Sequence, residues 1–281
     1  MPAAALAMPV NIESQRKVLP RERTPGWSGL SGLNFSLRSG NVFLLDVGGN
    51  LSVNVIHGRH EVLMLGSSRF AAKAAARDTE KIGDLVGNDD TRFANAHLGH
   101  LRYSLTVLPW LAADLFTQLS SDEFILLQAR WVFGLGPRFI LFRNDEFAAV
   151  FGTGYMPELE YLNPTAFVGQ PESTSHMNWW HRWNNYLSFK LDAGELLTIS
   201  ATTYLQPRID RLTDFWVLNE NALSVKLTKR LQLKLALTIR HDSRPPTACV
   251  EALDDGACPM GRSFAVRPTD IRIENAFAFS F

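Results

Sequence analysis

The stretch that decides the fold is Leu231–Arg240, LQLKLALTIR. Leu231, Leu233, Leu235, Leu237 and Ile239 recur at every second position, with Gln232, Lys234, Thr238 and Arg240 set among them. A helix advances about 100° per residue and would scatter those aliphatics around its circumference. A strand alternates its faces, so it places them all on one side.

The same period runs outward in both directions. Phe43, Leu45, Val47, Leu51 and Val53 alternate with Asp46, Asn50, Ser52 and Asn54. Leu197, Ile199, Ala201 and Leu205 oppose Thr198, Ser200, Thr202, Tyr204 and Gln206. Read this way, the chain predicts strands over Trp27–Arg38, Val42–Ile56, His60–Lys73, Arg92–Thr106, Trp110–Leu119 and Phe124–Phe142. Further strands follow over Glu146–Leu162, Trp180–Leu191, Leu196–Gln206, Asp214–Thr228, Leu231–Asp242 and Thr269–Phe281. Every second link is short, as at His57–Arg59, Val107–Pro109, Arg143–Asp145, Asp192–Glu195 and Lys229–Arg230. The long links, Ala74–Thr91, Asn163–Trp179 and Ser243–Pro268, all fall at the opposite end. Outer-membrane barrels sort their loops this way, and soluble sandwiches have no reason to.

The expected fold is therefore all-β: a transmembrane antiparallel barrel of about twelve strands, with both termini periplasmic. It occupies residues 26–281, behind a flexible segment or leader remnant at 1–25. No apolar run reaches the roughly 18 residues a spanning helix needs. A mean hydropathy of -0.05 and a formal net charge of +0 suit a barrel that averages two opposite faces. That charge also gives no reason to expect nucleic acid as a partner. Met1–Val10 is small and apolar but has no basic residues before it. It reads as the tail of a secretion signal or as a floppy leader. Cys249 and Cys258 sit close together in a loop-like stretch and read as a local disulfide of a non-cytoplasmic protein.

The last strand, TDIRIENAFAFSF, puts Ile271, Ile273, Phe277, Phe279 and Phe281 on one face and ends on an aromatic residue. A terminal Phe after alternating aromatics resembles the assembly signal read by the barrel-insertion machinery. That machinery, outer-membrane lipid and lipopolysaccharide are the expected partners; the oligomeric state is open.

Several motifs, in their order along the chain, resemble a known family. They are RSGN at Arg38–Asn41, GLGPRF at Gly134–Phe139, GTGYMPELE at Gly152–Glu160, HRWNNYLS at His181–Ser188, TYLQPRIDRLTDF at Thr203–Phe215 and IRHDSRPP at Ile239–Pro246. Over Trp27–Phe281 the chain is similar to the salt-induced outer-membrane proteins. The resemblance implies an outer-membrane barrel and no established reaction.

Charges opposite the apolar stripes are the candidate functional residues. Arg102, Asp114, Gln118, Arg130 and Arg138 fall there in the first half. Glu158, Glu160, Arg182, Lys190, Glu220 and Lys226 follow, then Lys234, Arg240, Asp242, Arg272 and Glu274. An Arg or Lys facing lipid at mid-bilayer would cost about 2–4 kcal/mol, so these residues are expected to line the lumen. Either they form a polar conduit that selects solutes, or they pair with one another and fill it. The cations slightly outnumber the acids, which predicts a weak anion preference if the barrel conducts.

Catalytic motifs are sparse. Glu158 and Glu160 share a face and are read as partners for arginines rather than as a metal or acid–base pair. His241, Asp242 and Ser243 are consecutive, and alternation forbids their converging. His97 and His100 fall on opposite faces. His176 and His181 flank Trp179, Trp180 and Trp183, aromatics read as interfacial anchors. No GxSxG, P-loop, HExxH or CxxC occurs, so no cofactor, metal or enzyme activity is expected. The leading reading is a narrow porin-like channel or structural barrel of the outer membrane. An outer-membrane enzyme acting on lipid at the outer rim is the alternative, and a soluble lipocalin-like binder is the third.

Two predictions follow from the strand pattern. Deleting Phe281, or replacing it with a charge, is expected to cut membrane insertion, read as loss of the folded band from membrane fractions. Protease added to whole cells is expected to cut within 74–91, 163–179 and 243–268; cleavage confined to Asp192–Glu195 or Lys229–Arg230 would invert the topology.

Overall fold

Twelve long strands pair edge to edge until the last meets the first, as seen in a computed structural model that describes residues 25–38, 42–75, 92–162, 166–167, 176–249 and 263–280. In chain order the strands begin with β1 (Gly26–Arg38), β2 (Val42–His57), β3 (His60–Ala75), β4 (Arg92–Leu108) and β5 (Leu111–Asp122). They continue with β6 (Leu127–Arg143), β7 (Phe147–Leu162), β8 (Ala166–Phe167), β9 (Met177–Ala193) and β10 (Leu197–Pro207). The last are β11 (Phe215–Lys226), β12 (Leu231–Asp242), β13 (Thr247–Cys249), β14 (Ser263–Ala265) and β15 (Thr269–Ser280).

The ring runs β1-β15-β12-β11-β10-β9-β7-β6-β5-β4-β3-β2, with β2 pairing back onto β1. The pair that joins the first strand to the last, β1–β15, runs from Leu30↔Ser280 to Leu33↔Phe277. Every adjacent pair in the ring is antiparallel. Closure removes the unpaired edge that no open sheet could carry into hydrocarbon.

The barrel wall has two chemistries. Each of the twelve strands exposes at least one large apolar side chain, including Leu51, Leu101, Leu115, Leu135, Leu187, Ile199, Leu233 and Phe277. A continuous apolar belt of this kind exceeds what a soluble surface tolerates, and lipid is the solvent that suits it. The opposite faces are buried and mostly polar. Trp131 and Trp183 sit on the outer face and donate their indole N–H to Thr117 at 2.9 Å and Thr153 at 2.8 Å, so neither polar tip is left bare in the belt.

Three departures from the expected strands have local causes. Strand β6 starts at Leu127 because Glu123–Ile125 forms a single 3-10 turn. The Asp122 side chain accepts from the Phe124 N–H at 3.0 Å, and Leu126 ends the turn in the left-handed region at φ 63°. Strand β9 begins at Met177, so Trp179 belongs to the wall. The long links also carry structure of their own, for β8, β13 and β14 form a separate three-stranded sheet. Segment 1–24, Cys258, the Cys249 side chain and Phe281 lie outside the described residues.

Inward aromatic rings need gaps in the wall. A Cβ added to Gly152 would lie 2.1 Å from Tyr186 Cε1, and one added to Gly134 would lie 2.1 Å from Phe116 Cζ. Gly152→Val is therefore expected to destabilise the barrel by about 1–3 kcal/mol, measured as a lower urea midpoint in vesicles. At Gly99 an added Cβ meets nothing within 4 Å, so Gly99→Val should leave the midpoint where it is.

Candidate functional site

Alternation along β6, β7, β9 and β11 turns Arg130, Glu158, Arg182 and Trp216 into the lumen together. Glu158 is fully buried at 0% exposure. Its Oε1 forms an ion pair with Arg130 Nε at 3.0 Å, and its Oε2 accepts Arg182 Nε at 2.9 Å. Arg130 also reaches Glu160 at 2.7 Å. The two guanidinium planes clamp the Trp216 ring, with Cζ atoms 3.9 Å and 3.8 Å from its centroid. Trp216 stands four places from β6 around the ring of strands, so this clamp spans the lumen.

The chain of charges continues. Arg182 meets Asp214 at 3.4 Å and donates to the Gln206 carbonyl at 3.1 Å. Asp214 meets Arg208 at 3.1 Å, and Arg208 pairs with Asp210. Arg208 stacks over Trp180 at 3.8 Å. Asp210 lies in the link before β11, and the hydrogen bond from Arg208 holds its carboxyl below the usual carboxylate range. That contribution is present at neutral pH and is lost only as the pH falls toward the depressed value. Above Trp216, an apolar cap of Ile125, Leu127, Leu162 and Val266 joins the β5–β6 turn to the segment before β15.

A second cluster sits nearer the short turns. Asp114 forms ion pairs with Arg102 and Arg138, each at 3.2 Å, and accepts the Tyr186 hydroxyl at 3.5 Å. Arg102 also lies over the Phe116 ring at 5.0 Å. Between the clusters, Tyr186 packs on Tyr204 at 5.1 Å and Gln206 donates to Asn184 at 2.7 Å. The space left there is about 10 Å³, room for roughly one water. Buried charges at this density are tolerable because these arginines and carboxylates pair with one another.

The other inward residues are placed as follows. Gln118 is buried beside His100, 3.3 Å from its Nδ1. Asp242 is buried, pairs in register with Trp216, and accepts the Arg244 N–H at 2.8 Å. Arg240 is buried on β12, and Arg272 is half-buried on β15. Glu220 and Lys190 are half-buried, Lys234 likewise, and Lys226 is exposed at the end of β11. Glu274 faces Ala236 in register, its side chain outside the described residues. On the outer face, Phe277 and Phe279 are exposed.

One expectation needs correcting. Trp179 and Trp183 do face outward, but Trp180 does not anchor the interface; it turns in and carries Arg208. Neighbours in a strand cannot share a face. His241, Asp242 and Ser243 diverge: His241 Nδ1 is 2.8 Å from Thr269 Oγ1, Asp242 points inward, and Ser243 Oγ accepts the Phe215 N–H. Arg208 was missed because it falls between two expected strands, Asp214 because it only opens the second of them, and Trp216 because nothing in its own strand marks an inward indole. The signal that could have found them was the unmatched charge of Arg182.

The chain matches the family model described as "Protein of unknown function, DUF481" over residues 33–251. No curated protein matches it. Among solved structures it is similar to the NanC porin, with a TM-score of 0.44 at 10% identity over 90% of this chain and 97% of that one. It is also similar to the KdgM porin, with a TM-score of 0.43 at 8% identity over 91% and 99% of the two chains. An anion-selective porin from Comamonas acidovorans follows at a TM-score of 0.36 and 9% identity, over 92% and 99%. Likenesses this distant say nothing of what passes through a barrel. The family match spans most of the chain and both charge clusters: this protein is a member of the DUF481 family.

Proposed function

We propose that this chain is a narrow porin-like barrel of the bacterial outer membrane, constricted at rest by its own charge network. The observation that carries the reading is Glu158, fully buried and shared by two arginines that grip Trp216 across the lumen. A solute-sized path cannot coexist with that clamp, the apolar cap above it and the packed tyrosines below. Both termini at the periplasmic end, a shell of lipid and lipopolysaccharide, and assembly through the Phe277–Phe279–Phe281 run complete the reading. The motif order also favours placing the chain with the salt-induced outer-membrane proteins.

Small ions that do pass meet an uneven field. Arg130 is matched by Glu158 and Glu160. Arg240 is 6% exposed and forms no ion pair among the described residues. Glu220, Asp122 and Asp270 act on it from a distance, and Arg272 opposes them. A weak anion preference is thus assigned to Arg240 rather than to Arg130.

Planar bilayers test this reading. The purified barrel is expected to give small steps with a reversal potential shifted toward the anion, and Arg240→Gln to reduce that shift. Wide ohmic steps or a cation preference would overturn it. Glu158→Gln leaves two buried guanidinium groups short of a partner and is expected to cost about 3–5 kcal/mol, read from urea unfolding in vesicles.

A further inference from the structure

On the outer face, near the loop end of β3, β4 and β5, four polar side chains form a directed hydrogen-bond chain. Ser68 Oγ lies 2.9 Å from His97 Nδ1. His97 Nε2 lies 3.0 Å from Asn95 Oδ1. Asn95 Nδ2 donates to Glu123 Oε2 at 2.9 Å. The carboxylate can only accept, so it fixes the amide with nitrogen toward Glu123 and oxygen toward His97. That oxygen in turn requires the His97 proton on Nε2. Nδ1 is then a bare lone pair, and Ser68 is its donor.

We propose that Ser68, His97 and Asn95 form an ester-hydrolase site for the acyl esters of lipids at the outer rim of the barrel. Ser68 is the nucleophile, His97 its general base, and Asn95, oriented by Glu123, sets the imidazole tautomer. These are the parts of a serine-hydrolase triad with an amide in the third place. The site goes beyond the channel reading and does not depend on the state of the lumen.

Its surroundings suit the substrate. Ser68 and His97 are both exposed and stand opposite each other in the ladder. Ser68 is eight residues along β3 from His60, about 26 Å of strand. At the usual tilt that is about 20 Å above the turn, inside the outer edge of a roughly 25 Å apolar band. Two open clefts meet at His97. One, about 270 Å³, is lined by Gly99, Leu119, Ser121, Gln128 and Ala129. The other, about 250 Å³, is lined by Asn95, Ser121, Glu123, Leu126 and Gln128. Toward the turns the first opens on Gly99, where no heavy atom fills the space of a side chain. An acyl chain has an apolar bed there beside Leu119.

Other outward histidines differ in a way that matters. His60 and His241 each meet a hydroxyl, of Tyr103 and Thr269, with no acceptor on the second nitrogen among the described residues. His181 receives the Trp179 indole N–H on Nε2, so its proton sits on Nδ1 and it cannot take one from Tyr155. Only the His97 chain, among the described residues, runs from hydroxyl to base to oriented acceptor.

The reaction balances without an outside redox partner. Ser68 Oγ bonds to the ester carbonyl carbon as its proton passes to His97 Nδ1. The carbon–oxygen bond to the alcohol breaks, and the alcohol leaves with that proton. Water then adds to the acyl carbon and gives His97 a proton. The acyl–Oγ bond breaks, the proton returns to Oγ, and a fatty acid is released.

The full-length barrel in detergent micelles, treated with a fluorophosphonate probe, tests the proposal. Covalent labelling is expected at Ser68, mapped by mass spectrometry and absent in Ser68→Ala. His97→Gln should slow labelling by at least about 100-fold, and Asn95→Asp, which keeps an acceptor on Nε2, should retain more than Asn95→Leu. Vesicles of phosphatidylethanolamine and dispersions of lipopolysaccharide then separate the two ester sources by which one yields free fatty acid. An unlabelled Ser68 in the wild-type barrel, labelling at another serine only, or no fatty acid from either lipid would overturn it. None of these outcomes touches conductance, so failure here and failure of the channel reading are distinct.

Discussion

A backbone amide in hydrocarbon has no water to bond, and the whole structure depends on that constraint. Each long strand must pair on both edges, which forces the sheet to close through β1 and β15. Once the sheet is a tube, alternation sorts side chains into two solvents. Leu233 and Leu235 go to lipid, while Lys234 and Ala236 go inward. The ladder and the period of two are the same fact seen along and across the strand.

Closure then creates a second problem, a charged interior that is largely buried. An unpaired guanidinium there would be costly, and the structure answers with shared carboxylates and aromatic faces. Glu158 serves Arg130 and Arg182 at once, and Trp216 fills the gap between their planes. Between the clusters the space left is about 10 Å³, unlike the wide water-filled pore that larger barrels carry. Charge in this lumen is structure first, and only what is left unmatched is free to act on an ion.

The outer face makes the opposite demand, since polar groups there are disfavoured unless they do something or satisfy one another. Most of them here pair off simply, as Trp131 does with Thr117 and Asn219 with Thr203. The chain from Ser68 to Glu123 is longer and has a direction. It lies where the wall passes from leucine and glycine to serine, asparagine and glutamine.

The residues alone determined the strands and the two opposite chemistries of the wall, because a period of two is a local property that any ten-residue window carries. Phe124 and Trp180 show where that stops. Phe124 lies in a turn because Asp122 caps it, and Trp180 turns inward because Trp179 faces out. The pairing of charges was not legible at all. Arg130 and Trp216 are far apart in sequence and four strands apart in the ring, so only the tube's curvature brings them together. Ser68 and His97 belong to different strands, and their meeting depends on the register of β3 against β4, which a long link leaves free. Local alternation sets which way a side chain faces; what it faces is decided by closure and register, and these belong to the tertiary structure.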